Sequence, residues 1–95
     1  MSQIKITEVA VQGIQRCQAF LESRNTLASQ RAANEIAKYI RLLEETPESG
    51  RPLSDHLREL IIPFGDSGYA VLCRYEAVTD ICHILSFKHQ KEAGY

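Results

Sequence analysis

Residues 57–87 decide the fold of this chain, and they read LRELIIPFGDSGYAVLCRYEAVTDICHILSF. Three apolar runs rich in β-forming residues occupy 57–64, 69–75 and 81–87. Two short polar segments, GDSG and EAVTD, separate these runs, and glycine next to aspartate is typical of tight turns. Short β-rich runs joined by turns of this length predict an antiparallel β-meander of three strands.

Two amphipathic helices are predicted before the meander. Apolar residues at helical spacing indicate a first helix from about residue 8 to 24, with Thr7 as its cap. Asn25 and Thr26 interrupt this helix and can cap a second one. Its apolar stripe consists of Ala32, Ile36, Tyr39 or Ile40, and Leu43. Two prolines and a glycine in 44–52 then end it, so the helices should form an antiparallel hairpin.

Ile4 and Ile6 alternate with polar residues and predict a short first strand. The chain is therefore expected to be an α+β protein of order β-α-α-β-β-β, one domain spanning residues 1–95, with the helical hairpin packed on a twisted antiparallel sheet. Strand alternation divides each strand between the two faces of the sheet. In 69–75 one face carries Tyr69, Val71, Cys73 and Tyr75, and the other carries Ala70, Leu72 and Arg74. In 81–88 one face carries Ile81, His83, Leu85 and Phe87, and the other carries Cys82, Ile84, Ser86 and Lys88. The half-covered face of the sheet should form a groove.

Composition excludes several classes of protein. The chain has 95 residues, of which 44% are hydrophobic and 24% charged, as in an ordinary folded domain. The chain has eleven Lys and Arg residues and twelve Asp and Glu residues, so its net charge provides no general attraction for nucleic acid. No segment has the length and apolarity of a membrane span or a signal peptide, which predicts a cytoplasmic protein.

The cysteines indicate buried thiols and no metal site. Cys17, Cys73 and Cys82 are odd in number, lack CxxC spacing and lie within apolar patterns. No close pair of cysteines or histidines offers two ligands for zinc. We therefore expect neither a metal nor a cofactor.

The last eight residues are dense in groups that can bind anions, transfer protons or stack. They read Lys-His-Gln-Lys-Glu-Ala-Gly-Tyr and follow the third apolar run directly. A chain end normally frays into solvent, so a merely solvated end is one interpretation of this tail. The others are a recognition edge, which we favour, and a catalytic edge.

Three stretches carry a resemblance to a known family. Arg58–Gly65 is similar to its first meander strand and turn, and Ser67–Tyr75 to its central strand, which ends in an arginine and an aromatic residue. Phe87–Tyr95 is similar to its terminal motif. These stretches resemble the RelE/ParE superfamily of type II toxins, and most closely its ParE-like branch. The C-terminal half carries most of the likeness.

The resemblance implies a bacterial toxin encoded beside its antitoxin, on a plasmid or a chromosome. ParE members poison DNA gyrase, whereas RelE members enter the ribosomal A site and cut messenger RNA. The chain is thus expected to inhibit gyrase and to be neutralised by a cognate antitoxin in a hetero-oligomer, without sequence-specific binding to nucleic acid. The alternatives are a RelE-like, ribosome-dependent mRNA endonuclease and a non-toxic module that binds antitoxin.

The resemblance and the charge pattern suggest two overlapping sets of site residues. The target-binding set is Arg74, Lys88, His89, Lys91 and Tyr95; the set for a ribonuclease would be Arg58, Arg74, Lys88, His89 and Tyr95. From residue 51 onward five Lys and Arg face six Asp and Glu, which is a poor surface for docking into ribosomal RNA. A protein target without catalysis is therefore favoured.

Some of these residues also have structural interpretations. Arg74 could pair with Glu59 or Glu76. His83 could be a packed, hydrogen-bonded core histidine, and Tyr95 could pin the tail to the sheet. An antitoxin could add an extended peptide to an exposed edge strand or fill the apolar groove with a helix, and Pro63 is expected to blunt one such edge.

Overall fold

The computed structural model describes residues 1–92 of the chain. Its elements are β1 (Gln3–Ile6), α1 (Glu8–Glu22), α2 (Thr26–Glu45), β2 (Arg51–Pro52), β3 (Arg58–Phe64), β4 (Ser67–Glu76) and β5 (Ile81–His89). The α+β architecture with two helices on a sheet is confirmed, and the two-residue strand β2 is added to it. None of the helices in 1–92 is long and apolar enough to cross a membrane.

Both helices begin at the predicted caps. The Thr7 hydroxyl accepts a hydrogen bond from the Ala10 N–H at 3.2 Å, and the Asn25 side chain accepts one from the Ala28 N–H at 3.1 Å. These bonds satisfy N–H groups that have no partner within a helix. The N–H groups of Arg24 and Asn25 both donate to the Leu21 carbonyl, so α1 ends about two residues earlier than predicted.

The sheet is mixed, whereas the sequence predicted an antiparallel one. Its strand order is β1-β5-β4-β3-β2, and the meander β3-β4-β5 is antiparallel as expected. β1 instead runs parallel to β5, with Gln3 beside Ile81 and Ile6 beside Ile84. Alternation of apolar residues contains no information about strand direction, so the sequence pattern could not reveal this pairing.

A β-bulge in β5 changes which residues share a face. Leu72 pairs with Ser86 but Cys73 pairs with Ile84, so Leu85 is an extra residue in its strand. Phe87 therefore lies on the same face as Ile84 and is only 3% exposed. The predicted grouping of β5 is wrong beyond the bulge, because strict alternation assumed a regular strand.

The bulge also receives the start of α1. The main-chain N–H of Thr7 donates to the Ile84 carbonyl at 3.0 Å, and its hydroxyl donates to the Leu85 carbonyl at 3.0 Å. One residue thus caps the helix and satisfies the carbonyls that the irregular strand leaves open. This connection sets the direction in which β1 enters the sheet.

The core lies between the helices and one face of the sheet. Its buried members are Ala10, Cys17, Ala32, Ile36, Leu43, Leu60, Ile62, Tyr69, Val71, Cys73, Cys82, Ile84 and Phe87. All three cysteines are buried free thiols, as predicted. The opposite face carries no helix within residues 1–92, and we call it the uncovered face.

Asp80 ties the N-terminus to the β4–β5 turn. Its Oδ1 accepts hydrogen bonds from the Ser2 hydroxyl and the Tyr75 hydroxyl, each at 2.6 Å, and its carbonyl accepts one from the Gln3 N–H. The Ser2 and Tyr75 bonds hold the pKa of this carboxyl below its ordinary value of 3.8. Asp80 also has a positive φ of 55°, a conformation that asparagine tolerates.

Asp80→Asn is expected to lower the melting temperature at neutral pH, because the carboxylate accepts both hydroxyl bonds. A depressed pKa in the folded state stabilises the protein above the unfolded pKa, and this stability is lost as pH falls through the folded pKa. The variant should therefore lose less stability than the wild type on acidification below about pH 4. Circular dichroism melts between about pH 3 and pH 7 measure this. Asp66→Asn, in the exposed turn, is the control and should match the wild type.

Candidate functional site

A cleft of about 700 Å³ lies between the C-terminal half of α1 and the β3–β4 turn. Its lining residues are Arg16, Cys17, Phe20, Leu21, Phe64, Gly65, Asp66, Ser67, Gly68, Tyr69, His89, Lys91 and Glu92. Concave sites of this size, with apolar walls and a few polar groups, are typical of binding sites. The predicted residues His89 and Lys91 both belong to this cleft.

The floor of the cleft is a fixed aromatic cluster. The Tyr69 ring is stacked with Phe87 at 5.1 Å and with Phe64 at 6.2 Å, and His89 approaches it edge-on at 5.9 Å between ring centres. Tyr69 is only 2% exposed, so it is a core residue and not a stacking platform. Phe20 stands at the rim, 56% exposed, with the Arg24 guanidinium 3.8 Å from its ring centre.

His89 is held through both ring nitrogens. Nδ1 accepts a hydrogen bond from the Lys91 main-chain N–H at 3.1 Å, and Nε2 lies 2.9 Å from the Ser67 hydroxyl. Because Nδ1 is an acceptor, the neutral ring carries its proton on Nε2 and donates it to Ser67. Neither nitrogen has a free lone pair, so His89 cannot accept a proton from a substrate while these bonds persist.

Glu92 fastens the tail to α1. Its Oε2 accepts a hydrogen bond from Arg16 Nη2 at 2.8 Å, and its Oε1 accepts one from the His89 N–H at 3.2 Å and lies 3.8 Å from Cys17 Sγ. Its carbonyl accepts a bond from Lys88 Nζ at 3.0 Å. Desolvation raises the pKa of Glu92, but the His89 N–H and Arg16 outweigh it and hold the pKa below its ordinary value of 4.5.

Lys88 and Arg74 lie on the uncovered face, and neither lines the cleft. Lys88 pairs with Ala70 and Arg74 pairs with His83, so they stand four residues apart along β4, about 13 Å. Strict alternation predicted Lys88 on the same face of β5 as Cys82, and the bulge places it on the opposite face. Arg74 Nη2 lies 3.9 Å from Glu76 Oε1, so of the two predicted partners it approaches Glu76.

Arg58 and Glu59 stabilise the segment between α2 and β3. Arg58 Nη1 donates to the carbonyls of Glu48 at 3.0 Å and Gly50 at 2.9 Å. Glu59 accepts from the Arg51 guanidinium at 2.9 Å. These bonds give Arg58 a structural role, and it does not line the cleft.

His83 is not a core histidine. Its side chain is 26% exposed on the uncovered face, and its buried Nε2 lies 3.5 Å from Glu76 Oε2 without a hydrogen bond. Thr79 and His83 together hold the pKa of the Glu76 carboxyl below its ordinary value. Tyr95, the remaining predicted site residue, lies outside the described residues. Within 1–92 no three His, Cys, Asp or Glu residues are placed to hold a metal.

Three residues of the cleft were not among the predicted site residues: Arg16, Ser67 and Glu92. No local pattern could have found the pair of Arg16 and Glu92, because 76 residues separate them in the chain. Ser67 was predicted in the turn but is the first residue of β4, and only the register of β4 against β5 brings its hydroxyl to His89.

Chains in solved structures of toxin-antitoxin systems share this fold. The chromosomal ParDE system from P. aeruginosa matches with a TM-score of 0.73 and 15% identity over 94% of this chain and 96% of that one. The E. coli RelBE complex gives 0.65 and 10% over 97% and 100%, and the RelE-RelB complex of Pyrococcus horikoshii OT3 gives 0.58 and 17% over 97% and 98%. At such identities the likeness shows the fold alone.

A match to a family model is more specific than a shared fold. No curated protein matches the sequence. The model of the ParE toxin of the type II toxin-antitoxin system, parDE, matches residues 4–94, which include both helices, the β3-β4-β5 meander and the cleft. The chain therefore belongs to the ParE toxin family of type II toxin-antitoxin systems.

Proposed function

We propose that this protein inhibits DNA gyrase and is held inactive by a cognate antitoxin. Membership of the ParE family over residues 4–94 carries the proposal, because the resemblance to ParE toxins implies gyrase as the target. The cleft and the tail residues His89 and Lys91 then form the surface that recognises a protein.

The geometry of the predicted ribonuclease residues supports binding rather than catalysis. Cleavage of RNA by its 2′-hydroxyl needs a base, an acid and donors to the phosphate within a few ångströms of one another. Arg58 is bound to main-chain carbonyls, and Lys88 and Arg74 lie about 13 Å apart on the other face from His89. His89 uses both nitrogens within the protein.

An antitoxin has two adjoining surfaces available. β2 pairs only with Arg58 and Glu59, so the outer edge of 60–64 has no strand beside it within the described part of the chain. This edge leads to Phe64, which lines the cleft. A partner segment could add to the edge and place an apolar side chain in the cleft, although exposed Pro63 removes one N–H from that strand.

Purified gyrase tests the target. We expect the protein to inhibit supercoiling and to accumulate cleaved DNA, and to lose both effects when mixed with the product of the neighbouring reading frame. Absence of inhibition and of cleaved DNA at large molar excess would contradict gyrase as the target. New codon-phased ends of transcripts after induction, with gyrase unaffected, would establish the ribonuclease alternative instead.

Lys91→Ala is expected to raise the toxin concentration for half-inhibition of gyrase at least about fivefold, which corresponds to a loss of about 1 kcal/mol of binding free energy. Lys91 is exposed at the rim of the cleft, and alanine retains the main-chain N–H that binds His89. Its melting temperature should stay close to that of the wild type. Lys38→Ala, exposed on α2, is the matched control; equal inhibition by both variants would remove Lys91 from the recognition surface.

A further inference from the structure

One carboxylate joins the end of the described chain to the first helix. Glu92 accepts hydrogen bonds from Arg16 on α1 and from the His89 N–H, and its own N–H donates to the His89 carbonyl at 3.0 Å. The turn of residues 90–92 is therefore closed on itself and fastened to α1 at the wall of the cleft.

Lys91 lies between the two fastened residues. Its N–H donates to Nδ1 of His89, and the next residue is Glu92. The position of the Lys91 main chain thus depends on bonds on both of its sides. If the Glu92 carboxylate is lost, the turn keeps its internal bonds and the bond from Lys88 Nζ to the Glu92 carbonyl, but the direction in which the Lys91 side chain leaves the cleft is no longer set by α1.

The contribution of this contact to global stability is small. The Arg16 side chain is 56% exposed and that of Glu92 is 39% exposed, and ion pairs at such positions contribute little to the free energy of unfolding. An interaction that stabilises the fold weakly but joins segments 76 residues apart acts mainly on local geometry.

We propose that Glu92 is a positioning residue, whose bonds to Arg16 and to the His89 N–H set the place of Lys91 and of the His89 ring on the cleft. The effect of this positioning on target recognition rests on the proposed function. The positioning itself does not, since the bonds are made within the chain.

Nitrogen NMR of the His89 ring tests whether Glu92 positions the ring and the turn of residues 90–92. In the wild type the neutral ring should be protonated on Nε2, because Nδ1 accepts from Lys91. Glu92→Ala should shift the ring toward a mixture of tautomers and speed amide exchange at Lys91 at least about tenfold, as expected of local opening. Glu22→Gln, an exposed acid of α1, is the control. An unchanged ring and unchanged exchange in Glu92→Ala would overturn the proposal.

A double-mutant cycle tests the consequence. Glu92→Gln should weaken gyrase inhibition about fivefold in the wild type but less than about twofold in Lys91→Ala, because the two residues act through one position. Additive losses would overturn positioning. If the wild type does not inhibit gyrase, the proposed function fails, and the NMR comparison alone decides whether Glu92 positions the turn.

Discussion

Gly13→Ala is expected to destabilise the protein by about 2–3 kcal/mol, and to lower the melting temperature by roughly 10–20 °C. A Cβ at this position would stand 2.0 Å from the Phe87 carbonyl oxygen and 3.0 Å from its carbon. The obstacle is main chain of β5, which cannot rotate away as a side chain can. Alanine favours helix over glycine by only about 1 kcal/mol, so the clash decides the sign.

Gly65→Ala is the matched control for this prediction. Nothing lies within 4 Å of a Cβ at Gly65, and its φ of 59° imposes only the strain of the left-handed conformation, about 1 kcal/mol. Thermal or urea melts of both variants measure the difference. A loss in Gly13→Ala no larger than that in Gly65→Ala would show that α1 does not approach β5 so closely.

Ile84→Ala should cost about 2–5 kcal/mol, because the side chain is 0% exposed and its removal leaves a cavity in the core. A small domain has only about 5–15 kcal/mol in total, so part of the population is expected to unfold near physiological temperature. The main-chain bond from Thr7 to the Ile84 carbonyl remains, so the loss reports packing.

Val78→Ala removes an apolar side chain of similar kind from the β4–β5 turn, where it is 101% exposed. This control should change stability by less than about 0.5 kcal/mol. Urea melts give both free energies of unfolding. A small loss in Ile84→Ala would contradict its place in the core, and a large loss in Val78→Ala would contradict the exposed turn.

The helices were predictable because their signals are local. Thr7 and Asn25 cap the two helices through side-chain bonds that span three residues, and such bonds depend only on nearby sequence. The meander was predictable for the same reason, since its turns are short and its strands are neighbours in the chain.

The candidate site was only partly predictable. His89 and Lys91 were selected from the tail and do line the cleft, whereas Lys88 and Arg74 lie on the uncovered face. The extra residue at Leu85 explains this separation, because one inserted residue exchanges the two faces of the strand that follows it. A bulge of this kind leaves no mark in the apolar pattern of β5.

The sequence by itself determined the caps, the helical hairpin, the meander and the chemical character of the tail. Each of these depends on residues that lie a few positions apart. Only the tertiary structure decided the parallel pairing of β1, the bulge at Leu85 and the bonds that Glu92 makes to Arg16 and His89. These features join segments up to about 80 residues apart, and closing such long loops depends on the whole packed core rather than on local preference. For that reason the recognition edge at the tail could be suspected from sequence, but its geometry could not.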